Sequence, residues 1–163
     1  MSHTPKPTPP PVRIPEELST RLVNGEINLG QFLGLSRSAQ YAIAQMGDNL
    51  LGSGQYERAR QIFEGLVAAD PFDSVFHCHL AATYQRLDQR EEALTAFTNA
   101  LKFNKSNVDA LAGRGEVYLM LGKTPEAVKD LTQAISLDPK GERASTVRAR
   151  AILLTLKSVA QNL

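Results

Sequence analysis

Residues of matched size return every 34 positions through the middle of this chain, and that interval decides what it can fold into. Gly47, Ala81 and Gly115 are 34 apart, as are Leu50, Tyr84 and Tyr118; Ala59, Ala93 and Ala127; and Phe63, Phe97 and Leu131. Leu66, Ala100 and Ala134 follow the same interval, and Pro71 and Pro139 stand two intervals apart. A unit of this length holds two helices and a turn, too little to bury its own apolar face, so neighbouring units must bury each other's. Small residues recur where two helices cross closely, and large ones where the gap between helices must be filled. The expected fold is all-α, with three tandem helix pairs.

The units are expected over 40–73, 74–107 and 108–141, inside a repeat domain spanning 38–141. The first has helices over 38–52 and 56–69, closed at Asp70-Pro71 because proline cannot continue a helix. Asp73 or Ser74 can cap the next helix, over 75–87, whose partner covers 90–103. The third unit opens with Ser106 to Asp109 as an acidic capping box. Its helices meet at Gly122-Lys123-Thr124-Pro125, where Thr124 can cap and Pro125 suits the first helical position. Lys105 replaces the expected proline and Arg114 stands where Met46 and Leu80 are apolar, so this unit fits the pattern least well.

Both flanks differ from the repeats. Six of the nine prolines fall within the first fifteen residues, so 1–15 reads as a disordered, proline-rich tail. Over 16–37, Leu18, Leu22 and Val23 have helical spacing, Gly25 interrupts, and Ile27, Leu29, Phe32, Leu33 and Leu35 follow. That much apolar surface must be covered by the first repeat or by a second subunit. The C-terminal segment, 142–163, carries a final helix from Ser145 with Val147, Ala151, Leu154 and the offset pair Leu153 and Leu156 as its apolar face. It is expected to cap the open end of the array.

Little here suggests chemistry. Eighteen basic residues against seventeen acidic give a net charge of +1, which offers no nucleic-acid footprint. No apolar run is long enough to serve as a signal peptide or to span a bilayer, so a soluble cytoplasmic protein is expected. Cys78 is the only cysteine, which rules out an internal disulfide. His77-Cys78-His79 invites a metal reading, but consecutive helical residues point about 100° apart and cannot converge on one ion. Ordinary packing is expected there, and no metal or cofactor. There is no phosphate loop, dinucleotide fingerprint or nucleophile elbow. Glu57, Glu64, Glu91 and Glu92 read as solvated helix faces, and Arg143, Arg148 and Arg150 as a charged outer face of the last helix. The expectation is a protein-binding module and not an enzyme.

The interval and its small and aromatic positions resemble the tetratricopeptide repeat, in which the first helix of each unit lines a concave groove. That resemblance implies that the three helix pairs wind into a right-handed superhelix. Counting along the repeats, the groove candidates are Tyr41, Ala44, Asp48 and Leu51; then Val75, Cys78, His79, Ala82, Gln85 and Arg86; then Asp109, Ala112, Glu116 and Leu119. Small and apolar residues bounded by polar ones suit an extended peptide that inserts apolar side chains. Some tetratricopeptide proteins clamp the acidic tails of heat-shock chaperones with basic and amide side chains. The corresponding places here hold Ala44, Asp48, His79, Asp109 and Gly113, two of them acidic, so that use is not expected.

A narrower resemblance is to the class II chaperones of type III secretion, which guard translocator proteins. It rests on Gly52-Ser53-Gly54-Gln55-Tyr56-Glu57-Arg58-Ala59 with Phe63, and on Asp70-Pro71-Phe72-Asp73-Ser74-Val75-Phe76 continuing through Leu80-Ala81-Ala82-Thr83-Tyr84-Gln85. The order of parts is also similar: a short helical segment, three repeats and a final helix. The resemblance implies a non-catalytic chaperone of the bacterial cytoplasm whose client is a hydrophobic translocator. It would hold a short extended motif in pockets placed, by position, at Tyr41, Ala44, Leu51, Phe76, His79 and Ala82. It further implies dimerisation through the N-terminal segment, at Leu29, Phe32 and Leu33. Where such chaperones often carry aromatics this chain has Ala44 and Leu51, and the proline-rich tail is outside their usual pattern. The alternative is a general scaffold that assembles folded partners on the same concave face.

Overall fold

A computed structural model describes residues 15–161; the expectation of a disordered tail falls, apart from Pro15, outside the described residues. Nine helices follow one another among the described residues. They are α1 Glu16–Val23, α2 Leu29–Phe32, α3 Arg37–Gly52, α4 Tyr56–Ala69, α5 Ser74–Arg86, α6 Arg90–Phe103, α7 Val108–Met120, α8 Thr124–Leu137 and α9 Ala144–Gln161. Helices α3/α4, α5/α6 and α7/α8 form the three pairs, each packed on the next. None of the described helices is long and apolar enough to cross a membrane.

The 34-residue interval is visible as packing. A Cβ on Gly47 would come within 2.6 Å of the Phe63 ring, and one on Gly115 within 2.8 Å of Leu131. Each small residue thus admits the large one sixteen positions on, and Phe63, Phe97 and Leu131 are all nearly or fully buried. One cluster gathers Ala44, Ala59, Phe63, Leu66, Phe76 and Leu80 around the first repeat. A second runs from Ala81 and Phe97 through Leu111 and Val117 to Leu131 and Ala149.

Each turn between the two helices of a repeat needs one left-handed residue. Gly54 (φ +77°) and Gly122 (φ +72°) fill that role in the outer repeats, and Asp88 (φ +56°) fills it in the middle one. Because these turns end immediately before the helix, Gln55, Gln89 and Lys123 occupy the cap positions without side-chain bonds. Thr124 therefore does not cap α8 but is its first residue, and Pro125 follows inside the first turn. The first helix of each later repeat is capped by side chains. Asp73 accepts the Val75 N–H at 2.8 Å, and Asn107, 34 residues on, accepts the Ala110 N–H at 3.0 Å. Asn107 thus replaces Ser106 as the cap of α7; the N–H of Ser106 is instead donated to Asn104 Oδ1.

Arg114, the sequence oddity of the third repeat, has a partner. Its Nε and Nη2 donate to the two oxygens of Asp130 at 2.6 and 3.0 Å, and Asp130 is only 3% exposed. The matching positions in the other repeats hold apolar residues, Met46 with Ile62 and Leu80 with Ala96, so an ion pair stands here where the other repeats have apolar side chains.

The N-terminal segment folds back on its own chain. Helix α2 begins with a capping box, Asn28 with Gln31, and lies on α4. Gly30 is buried there, with room for no Cβ between Gln40 Nε2 (2.7 Å) and the Ala69 carbonyl (3.1 Å). Leu29 and Leu33 stay exposed and Phe32 is half-buried.

Helix α9 closes the array with only part of the face expected: Leu153 packs on the core and Leu156 is half-buried, but Val147, Ala151 and Leu154 are not covered. Ser145, Thr146 and Ala149 are buried against α7 and α8, with Ile152 and Leu153 packed beside them. Val147 and Leu154 are 55% and 69% exposed, and Ala151 is exposed as well. The crowded end of the array accepts small side chains at this crossing, so Val147, Ala151 and Leu154 turn outward.

Candidate functional site

The first helices of the repeats, α3, α5 and α7, together with α9, border two adjoining hollows. The smaller, of about 410 Å³, lies where α5, α7 and α9 begin and is lined by Val75, Cys78, His79, Asn107, Asp109 and Arg143 among others. The larger, of about 890 Å³, includes Asp48, Leu51, Tyr56, Arg86, Glu116 and Met120. Ala82, Gln85 and Arg148 line both, so the two form one trough along α5.

Nine of the expected groove residues border this trough: Asp48, Leu51, Val75, Cys78, His79, Ala82, Gln85, Arg86 and Glu116. Asp109 does so as well, and Leu119 lies just over its edge in an apolar hollow with Met120, Ala151 and Ile152. Four others are placed differently. Phe76 is fully buried, because it follows Val75 on the helix and is turned about 100° away from it into the first core cluster. Ala44 and Ala112 are also closed over, at 4% and 0% exposure. Tyr41 is partly exposed but borders neither hollow. Its hydroxyl donates to Asp73 Oδ2 at 2.9 Å, and its ring lies 5.3 Å from that of Phe76. Burial pushes its phenol up from the ordinary tyrosine value.

The floor of the trough is apolar or small: Leu51, Val75, Cys78, Ala82 and Gly113. Burial drives the Cys78 thiol up to about 12, so it behaves as a small hydrophobe. The polar groups form pairs between neighbouring helices. His79 Nδ1 lies 2.6 Å from Asp48 Oδ1, and the His79 ring stacks on Phe63 at 5.2 Å. Gln85 and Arg148 both donate to Glu116, at 3.2 and 3.1 Å. Arg143 and Ser145 both donate to Asp109. Arg86 bonds the Tyr56 hydroxyl at 3.1 Å with its guanidinium over the ring. The carboxylates that border the trough are thus partnered by groups from the next helix, which ties the repeats together across the concave face.

Arg143, Ser145 and Arg148 were not anticipated here. Arg143 and Arg148 are not a charged outer face but border the trough, while Arg150 donates to the carbonyls of Asp138 and Pro139. One signal was available for Arg143: Tyr41, Val75, Asp109 and Arg143 are successive members of one 34-residue series. His77 faces elsewhere, with Nε2 2.9 Å from the Pro71 carbonyl and its ring stacked on Phe103. Among the described residues no three metal-ligating side chains come together.

The comparisons with known proteins agree with this architecture. A family model described as "Tetratricopeptide repeat" matches residues 78–142, which includes the whole third repeat. Over those residues the chain belongs to the tetratricopeptide-repeat family. A second model, described as "Bacterial transcriptional activator domain", matches residues 20–106, just over half of the chain, and those residues belong to that family too. Among solved structures, a type III secretion complex from Aeromonas hydrophila is 20% identical with a TM-score of 0.75, covering 90% of this chain and 99% of that one. The Yersinia enterocolitica translocator chaperone SycD is 22% identical with a TM-score of 0.71, covering 78% of this chain and 97% of that one. PcrH, solved in complex with the chaperone-binding region of PopB, is 25% identical with a TM-score of 0.65, covering 72% and 97%. Of the curated relatives, human RNA polymerase II-associated protein 3 is 30% identical over 114 residues, 69% of this chain. The chain spans 11–23% of the length of the curated relatives it matches. The neighbours thus include translocator chaperones, some with translocator segments bound, and other tetratricopeptide proteins with bound peptides. Family and fold point to a binding module in place of an active site.

Proposed function

We propose that this protein is a non-catalytic chaperone that holds an extended segment of a hydrophobic type III translocator in the trough along α5. The observation that carries the reading is the division of the trough. Its small apolar floor, Leu51, Val75, Cys78 and Ala82, leaves room for inserted side chains, while its rim groups are already paired and do not demand a charged ligand. The likeness to PcrH with the chaperone-binding region of PopB supports an extended peptide as the occupant. The binding residues are Asp48, Leu51, Val75, Cys78, His79, Ala82, Gln85, Arg86, Glu116 and Leu119, joined by Asp109, Arg143 and Arg148. Tyr41 stands near the start of α3 as a margin to the first repeat. On this reading the protein works in the bacterial cytoplasm. Exposed Leu29 and Leu33 with Phe32 offer a homodimer contact, in keeping with a SycD structure described as an alternative dimer.

The test is fluorescence anisotropy of the full chain with labelled peptides covering the PopB and PopD chaperone-binding regions and the YopD peptide. At least one binds, and Ala82→Glu, which places a charge in both hollows, weakens it by tenfold or more while circular dichroism keeps its helical signal. Binding of none of the three, or equal binding by the variant, refutes the reading. A scaffold that assembles folded proteins is the second reading. It is favoured by the transcriptional activator model over residues 20–106, and it predicts capture of folded partners without protection of an aggregating translocator.

A further inference from the structure

We propose that the exposed face of α6 is a contact surface for a second copy of this chain, packed antiparallel about a two-fold axis so that Glu91 and Glu92 of each copy meet Lys102 and Lys105 of the other. The inference goes beyond the trough: the α6 face and the hollows beside it share no residue with it. It is also separate from the contact offered by Leu29 and Leu33 on α2. Three features of the chain point to it.

The first is the charge pattern. Glu91, Glu92, Thr95, Thr98 and Lys102 are all exposed, and at about 100° per residue they fall on one side of the helix, with half-buried Asn99 among them. The glutamates stand at the start of this stripe and Lys102 at its end, about 17 Å away, with Lys105 just beyond. Between them the stripe is short and uncharged. Glu91, Glu92, Lys102 and Lys105 have no ion-pair partner among the described residues, and Lys102 lies over the Phe103 ring. Nearby Arg90, in contrast, is held by Asp88, and Arg60 by Glu57 and Glu64. A face of one sign would call for a foreign partner. A face with opposite signs at equal distances from its centre is complementary to itself, because turning a copy end for end brings each sign onto the other. The axis then passes near the middle of α6, with Glu91 opposite Lys102 and Thr95 opposite Thr98.

The second feature is the floor beside the stripe. A hollow of about 380 Å³ runs over Val67, Leu80, Tyr84 and Ala96 with Glu91 and Glu92 at its rim. Another, of about 430 Å³, lies over Leu101 and Leu111 with Lys102 and Lys105 at its rim. A lysine arriving at the first hollow lays its methylene stem on that apolar floor while its ammonium meets the two carboxylates. The third feature is room. At the matching positions of the repeats on either side stand exposed Gly65 and Ala68 of α4 and Thr132 and Gln133 of α8, which let a second helix approach. With helices packed at about 8–10 Å, the stripe and these flanks cover roughly 500 Å² per copy. A total of about 1,000 Å² is the lower end for a specific contact, so the dimer is weak and, being held by exposed charges, salt-sensitive.

Sedimentation velocity of the full chain, from micromolar to millimolar concentration, tests this. The unmodified chain is expected to pass from monomer to dimer as concentration rises, and about 0.5 M salt in place of about 0.05 M weakens the dimer by tenfold or more. Glu91→Lys with Glu92→Lys makes the face wholly basic, and Lys102→Glu with Lys105→Glu makes it wholly acidic. Each variant alone loses at least tenfold in self-association while circular dichroism keeps its helical signal. Mixed in equal amounts, the two recover a dimer made of one copy of each. An unmodified chain that stays monomeric overturns the proposal, and so does a dimer indifferent to salt or a mixture that stays monomeric. A dimer that survives both reversals but is lost on Leu33→Asp is the α2 contact; it overturns the α6 assignment and leaves the chaperone reading intact. None of the reversed residues borders the trough, so failure of the translocator peptides to bind would leave a recovered mixed dimer standing as support for the α6 contact.

Discussion

Arg114→Leu should be among the most damaging single substitutions in this fold, and pairing it with Asp130→Ala should repair most of the damage. Asp130 is 3% exposed, and Arg114 supplies bonds to both of its oxygens, at 2.6 and 3.0 Å. Leucine at 114 leaves that carboxylate buried without its cation, which typically costs about 3–5 kcal/mol. Asp130→Ala alone costs less, because the Arg114 side chain is 20% exposed and can turn toward Thr98 and water. The double variant carries the residue types of the second repeat, where the same two positions hold Leu80 and Ala96, both buried and apolar. It should lie within about 1 kcal/mol of the parent, since replacing a buried pair by well-packed apolar residues is often neutral or stabilising. Urea unfolding followed by circular dichroism gives the four free energies of the cycle. Thermal midpoints should fall by about 10 °C for Arg114→Leu, at 2–4 °C per kcal/mol for a chain of this size, and recover in the double variant. A double variant as unstable as Arg114→Leu would refute the claim that this ion pair can be exchanged for the apolar residues of the other repeats.

Three further outcomes follow from the packing. Gly113→Ala puts a Cβ 2.2 Å from the Phe97 ring, so overpacking of about 1–3 kcal/mol outweighs the helix-propensity gain of about 1 kcal/mol; a raised unfolding midpoint would contradict this. Asp88→Gly relieves the one non-glycine left-handed residue among the described residues and should stabilise by about 1 kcal/mol, read from the urea midpoint, with peptide binding unchanged. The Asp138 carboxyl is held below the usual carboxylate range chiefly by the Arg143 N–H, with the Glu142 N–H adding to it. A lowered folded value means its contribution is present above the ordinary value of about 3.9 and lost as pH falls through the folded one. Asp138→Asn should therefore flatten the acid limb of stability measured between pH 5 and pH 2, and an unchanged limb would count against the capping role.

The parts of this structure that were legible in its sequence are those that repeat. Gly47 with Phe63 and Gly115 with Leu131 are local contacts, sixteen residues apart, made in the same way in successive units, so the interval between them carries the geometry. What was misread has no second copy to compare. Helix α9 offers Val147, Ala151 and Leu154 as an obvious apolar stripe, yet the end of the array closes on Ser145, Thr146 and Ala149. Ala149 lies 34 residues beyond Gly115 and continues the series of small crossing residues, so the buried face was marked by size where hydrophobicity pointed elsewhere. The groove follows the same logic. The count along the repeat placed Val75 and Asp109 on the concave side and, carried once more, reaches Arg143, which pairs with Asp109. It could not place Phe76, whose assignment came from likeness to other proteins and not from its position beside Val75 on a helix. The concave face is therefore best understood as a ladder of inter-repeat pairs, Asp48 with His79, Gln85 with Glu116, and Asp109 with Arg143, laid over an apolar floor. A ligand that enters between those rungs must match their spacing as well as the floor's hydrophobicity, and that double requirement is what would let such a trough choose one extended segment among many apolar ones.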